Sequence, residues 1–143
     1  MHTPEICNCN ALREAARRVT RLYDDVLAPT GLGANQYTAL AKINVYGPVS
    51  VQALAEQLIM DRSTLTRLLG PIERRGLITV RTSEEDRRSK LIELTSGGRA
   101  LLKKATPLWN AAQERFEKAF GSQPSRKLRA SLKEIATADF NAA

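Results

Sequence analysis

Apolar residues recur at helical spacing along most of the chain and alternate in one short stretch only. Leu12, Ala15, Ala16, Val19, Leu22, Tyr23, Val26 and Leu27 return every three or four positions, which predicts a helix over residues 10–28 that Pro29 and Gly31 end. Tyr37, Leu40, Ala41 and Ile43 predict a second helix over 34–46, broken by Gly47-Pro48. Ser50 then caps a short helix with Ala53, Leu54 and Leu58 on one face, and Asp61 caps another that begins at Arg62. Pro71 lies inside that helix and bends it rather than ending it, while Gly76 stops it.

From Leu77 the texture changes. Residues 77–82 are β-branched and read as a strand, 83–89 form a polar loop, and 90–95 alternate as the returning strand, so a hairpin with a long charged tip is expected. A long helix follows over about 97–120, lined by Leu101, Ala105, Leu108, Trp109, Ala112, Phe116 and Phe120, with a kink at Pro107 and a stop at Gly121. Ser122 and Pro124 open a last helix with Leu128, Leu132 and Ile135 as its stripe. The expected class is mainly α with a small β-hairpin (α+β), in one domain, since 143 residues form one ordinary core.

Charge sharpens this picture. The net charge is +7, and residues 62–90 alone carry eight basic and four acidic groups. That balance favours a polyanion partner, with a merely solvated basic surface as the alternative. Two short helices, a turn and a hairpin with a basic tip make a winged helix-turn-helix. A helix entering the major groove presents short polar and arginine side chains to base edges. Arg62, Ser63, Thr64, Thr66 and Arg67 stand in the first half of the second of those helices, where the N-terminal dipole also suits phosphate. Arg87, Arg88 and Lys90 belong to the hairpin tip and its return. Asp86 repels phosphate by itself and makes sense as the group that orients Arg88 through a charge-assisted hydrogen bond.

Enzyme chemistry finds little purchase. The one histidine is His2, which excludes a Ser-His-Asp triad in its familiar form, and no P-loop, H-E-x-x-H or G-x-S-x-G occurs. Cys7 and Cys9 are too close in sequence for good disulfide geometry, and two thiols do not complete a zinc site in one chain, although four from two chains would. No cofactor or metal is expected. No apolar run approaches the length of a membrane span and the N-terminus has no secretory pattern, so a cytoplasmic location is expected.

The residues resemble the MarR family of bacterial transcriptional regulators. The resemblance is carried by Ala53–Leu58, Ser63–Leu69, Ile72–Ile78, the run Asp86-Arg87-Arg88-Ser89-Lys90-Leu91-Ile92-Glu93-Leu94-Thr95, and Gly98 with Ala100–Leu102. It covers essentially the whole chain, and the D-x-R wing leading into L-x-L-T is its most specific part. It implies a homodimer on double-stranded DNA. Terminal helices (residues 1–31 and 97–143) would form the dimerisation platform, and a winged helix of about residues 34–95 would read a pseudo-palindromic operator. The apolar load of those helices, including Phe116, Phe120, Leu128, Leu132, Ile135 and Phe140, points the same way, because a small winged helix cannot bury all of it. A monomer with a helical cap is the alternative.

The resemblance further implies repression, released by a small phenolic or lipophilic ligand or by thiol oxidation. Leu12, Ala16, Tyr37, Leu40 and Trp109 are the candidate pocket walls. Cys9-Asn10-Ala11-Leu12 resembles the helix start of the family's peroxide-sensing branch, where a cysteine is the reactive thiol, and Tyr23 matches a tyrosine that hydrogen-bonds it. The chain departs from that branch at Arg13 and Ala34, which stand where further tyrosines occur. A non-enzymatic adaptor and a sequence-nonspecific architectural DNA binder remain the alternative functions.

Overall fold

The computed structural model describes residues 3–142, so His2 lies outside the described residues. Helix α1 runs Asn8–Leu27, starting two residues earlier than the expected residue 10, because the cap is Cys7, whose Sγ accepts the Asn10 amide at 3.4 Å. A 3₁₀ turn, Ala28–Thr30, leads to α2, Ala34–Tyr46. The start of α2 is satisfied from two sides. The Asp24 carboxylate of α1 accepts the Ala34 amide at 2.7 Å, and the Gln36 side chain accepts the Gly33 amide at 3.0 Å.

Helix α3, Val51–Leu58, is capped by Ser50, whose Oγ accepts the Ala53 amide at 3.0 Å. Helix α4, Arg62–Arg74, contains Pro71 and ends before Gly76, where φ is +74°. Between α3 and α4 the chain turns through Ile59, a β-branched residue at φ +52° that is 70% exposed. Thr95 caps the long helix α5, Ser96–Phe120, by accepting the Gly98 amide, and Gly121 at φ +105° separates it from α6, Ser122–Thr137.

The expected hairpin is two strands of a three-stranded antiparallel sheet. Strand β1, Val49–Ser50, pairs with β3, Lys90–Leu94, which in turn pairs with β2, Ile78–Thr82, giving the order β1-β3-β2. Val49 stands opposite Ile92 and Val80 stands opposite Ile92 on the other side. Two residues are too short for an alternation to show, which is why β1 leaves no trace in the pattern.

One core joins the sheet to the helices. Leu40, Ile43, Leu54, Leu65, Ile72 and Ile92 are fully or almost fully buried, and Leu27 of α1 and Ala105 of α5 belong to the same cluster. Burying a leucine or isoleucine side chain contributes roughly 1.5–3 kcal/mol. The far end of the molecule is different. Phe120, Leu132, Ile135 and Phe140 remain exposed, Phe140 to 77%.

Candidate DNA-reading surface and sensor region

Helix α4 owes its first turn to Asp61. The carboxylate accepts the Thr64 amide at 2.7 Å and the Ser63 hydroxyl at 2.8 Å. These hydrogen bonds, with a smaller contribution from the Arg67 cation, hold the Asp61 carboxyl at about 2, below its usual 3.8. Leu65, Leu69 and Ile72 anchor the inner face of α4. Arg62, Ser63, Thr66 and Arg67 are exposed and Thr64 is half-buried. The Thr66 hydroxyl donates to the Arg62 carbonyl at 2.8 Å, which leaves its oxygen available as an acceptor only.

The wing tip is a built turn. Ser83 is buried, its amide donates to Ser89 O, and its Oγ accepts the Asp86 amide at 3.3 Å. Asp86 does not orient the Arg88 guanidinium as the sequence suggests. Its carboxylate accepts the Arg88 backbone amide at 3.0 Å, as a short acidic side chain does two residues ahead in a turn. Arg87 and Arg88 are exposed, and Lys90 donates to the Thr82 hydroxyl across the hairpin at 3.1 Å. Among the described residues Arg62, Arg67, Arg87 and Arg88 take part in no ion pair, whereas Arg81 on the same wing is paired with Glu93 at 3.3 Å.

The MarR family model fits residues 32–90, and a relative at 38% identity extends the match to 70% of the chain. The chain belongs to the MarR family. An organic hydroperoxide resistance transcriptional regulator of Bacillus subtilis is 38% identical over 100 residues, covering 70% of this chain and 68% of its own. The DNA-bound crystal structure of the Mycobacterium tuberculosis transcriptional regulator MosR superposes with a TM-score of 0.81 at 37% identity, over 91% of this chain and 93% of that one. The repressor CouR, bound to a 23-mer DNA duplex, superposes at 0.84 with 27% identity, over 95% and 98%. This MarR-family chain is therefore a transcriptional regulator, mostly helical with a small antiparallel sheet.

The structure divides the expected ligand pocket in two. Leu40 is fully buried, and Tyr37 stacks on Trp109 with ring centroids 6.0 Å apart and planes 14° apart, so these three are packed core rather than open wall. Leu12 and Ala16 lie elsewhere. They line an open apolar cavity of about 1030 Å³ between α1, α5 and α6, together with Phe116, Phe120, Leu128 and Leu132. Helical spacing identifies all of these as apolar but does not say which neighbour each one meets.

Cys9 is exposed in the first turn of α1, and Cys7 is half-buried as its cap. Tyr23 is not beside Cys9 in the same chain. Fourteen positions separate them on one helix, about 21 Å of rise. The Tyr23 hydroxyl instead donates to Gln113 of α5 in a short hydrogen bond. Burial, then the nearby Glu117 carboxylate, raise Tyr23 above the ordinary tyrosine value, and Arg129 opposes them. Gln113 escapes sequence reasoning because nothing local distinguishes it from a solvated residue.

Proposed function

We propose that the chain acts as a homodimer that reads a pseudo-palindromic operator and represses transcription until oxidation of Cys9 releases it. Residues 34–95 form the reading lobe, and residues 1–31 and 97–143 form the platform. The observation that carries the reading of DNA is the set of exposed arginines that form no ion pair among the described residues. Arg62 and Arg67 lie on a helix start rigidly closed by Asp61, and Arg87 and Arg88 lie on a wing turn closed by Ser83 and Asp86. Cations held on stiff backbone and left without internal partners suit phosphate and base-edge recognition. The DNA-bound states of MosR and CouR support the same use of this fold.

Dimerisation follows from the apolar cavity between α1, α5 and α6 and the exposed Phe120, Leu132, Ile135 and Phe140. A contiguous apolar surface of this kind favours burial against a partner. Two reading helices roughly 34 Å apart then face successive major grooves. The peroxide signal is supported by the exposed thiol in the first turn of α1 and by the kinship with an organic hydroperoxide resistance regulator.

The test is a gel-shift titration of the reduced protein against its own upstream DNA and against duplexes selected from a random pool. It is run near physiological salt with excess competitor DNA and repeated after mild peroxide. A competitor-resistant complex that peroxide dissolves and thiol reductant restores is the expected result. Equal binding to all duplexes would replace the operator reader with an architectural protein, and no binding would leave an adaptor. A complex that persists after peroxide would redirect the search to a small aromatic or lipophilic effector.

A further inference from the structure

The end of α4 is tied to both long helices. Arg75, the residue that closes α4, donates from Nη2 to the Thr30 carbonyl at 3.0 Å and from Nη1 to the Gly31 carbonyl at 3.2 Å. Those carbonyls form the junction at which α1 gives way to α2, and the junction is itself stiff. Thr30 is buried, its hydroxyl donates to Leu27 O at 2.7 Å and accepts the Leu32 amide at 3.1 Å, and Gly31 supplies a φ of +73°.

On the other side stands the start of α5. The Thr95 hydroxyl donates to Gly76 O at 2.6 Å and the Thr95 amide donates to Leu77 O at 3.0 Å. Gly98 lies so close to the Leu77 carbonyl that a Cβ there would collide with it. Residues 75–77, the short link from α4 to β2, are thus fastened to the end of α1 through Arg75 and to the start of α5 through Thr95 and Gly98.

We propose that Arg75 is a positioning residue that sets the direction of α4 relative to α1, and with it the separation of the two reading helices in the dimer. This rests on the reading of the chain as a dimeric operator-binding regulator. The guanidinium suits the task because its planar fork reaches two successive carbonyls at once, which a lysine ammonium does not do in a fixed geometry. The lever is long. Helix α4 has 13 residues, about 20 Å, and its DNA-reading end is the one remote from Arg75. A tilt of about 10° at the strap displaces that end by about 3 Å. A displacement of that size leaves one half-site readable and puts the second out of register.

Full-length Arg75→Lys tests this, since it keeps the charge and removes the fork. The probes are a duplex selected from a random pool by the wild-type protein, the same duplex with only one half-site intact, and versions with one base pair added or removed between half-sites. The expected variant binds the single half-site like wild type, binds the full site roughly tenfold more weakly, and discriminates less among spacings. Unchanged binding to every probe overturns the proposal. So does an equal loss on every probe with Arg75→Ala that Arg75→Lys restores, which would make Arg75 a phosphate contact.

A second measurement stands apart from DNA. Spin labels at Arg62→Cys, at the end of α4 remote from Arg75, in a Cys7→Ser, Cys9→Ser background without DNA, report the distance between the DNA-reading ends of the two α4 helices. The expected Arg75→Lys distribution is broader than with Arg75 intact, at an unchanged melting temperature. An unchanged width, or a protein with no interprotomer distance at all, overturns the proposal. If the wild-type protein selects no duplex, the operator reading fails while the distance measurement still decides the role of Arg75.

Discussion

The Asp61 carboxylate accepts the Thr64 amide at 2.7 Å and so closes the first turn of α4, the helix proposed to read DNA. Its carboxyl titrates at about 2 in the folded chain instead of 3.8. A depressed value means that the folded state holds this proton more weakly than the unfolded one. The stabilisation is fully present above about pH 4 and is lost as pH falls through 2. Asparagine caps as well as aspartate but does not titrate. Asp61→Asn is expected to match wild type at neutral pH and to lose less stability between pH 4 and 2. Acid unfolding followed by circular dichroism checks this, and parallel acid curves for the two proteins would contradict it.

Arg67 and the wing arginines differ in what they are expected to read. Arg67→Ala weakens binding to a selected operator by about 1–3 kcal/mol and leaves random DNA nearly unaffected. Arg88→Ala lowers affinity evenly across sequences and reduces the salt slope by about one. Titrations at several salt concentrations separate the two behaviours. An Arg67 loss that is equal on random DNA would assign that side chain to phosphate.

Ile59 carries a local cost with no compensating burial. It is β-branched, 70% exposed and held at φ +52° where α3 ends. The left-handed region costs such a residue roughly 1–2 kcal/mol, and asparagine visits it routinely. Ile59→Asn is therefore expected to stabilise the protein by about 1 kcal/mol. Thermal or urea unfolding reads this directly, and an unchanged or lower midpoint would show that the Ile59 side chain contributes packing elsewhere in the assembly.

Cys7 and Cys9 have separate roles in the first turn. The Cys7 sulfur is engaged by the Asn10 amide at 3.4 Å, while Cys9 is exposed. Peroxide is expected to dissociate wild type and Cys7→Ser from DNA and to leave Cys9→Ser bound. Mass spectrometry of the oxidised protein is expected to place the first oxygen on Cys9. Dissociation of Cys9→Ser by peroxide at the wild-type dose would remove this thiol from the account.

What the sequence determined is local. Ser50 and Asp61 announce helix starts because a cap acts on an amide three residues away, and Gly76 and Gly121 announce stops because they adopt positive φ. The wing is legible because Leu77–Thr82 and Lys90–Thr95 flank a polar tip, and the exposed arginines of α4 follow from one helical period. The tertiary structure decided what docks on what. It paired Val49 with Ile92, gave Tyr23 a partner 90 residues away in Gln113, and stacked Tyr37 on Trp109 while leaving Leu12 at an open cavity. It also fastened Arg75 to Thr30 across 45 residues. Periodicity marks a face as apolar or polar over four residues. Which distant face meets it depends on how whole helices pack against one another, and no local pattern contains that.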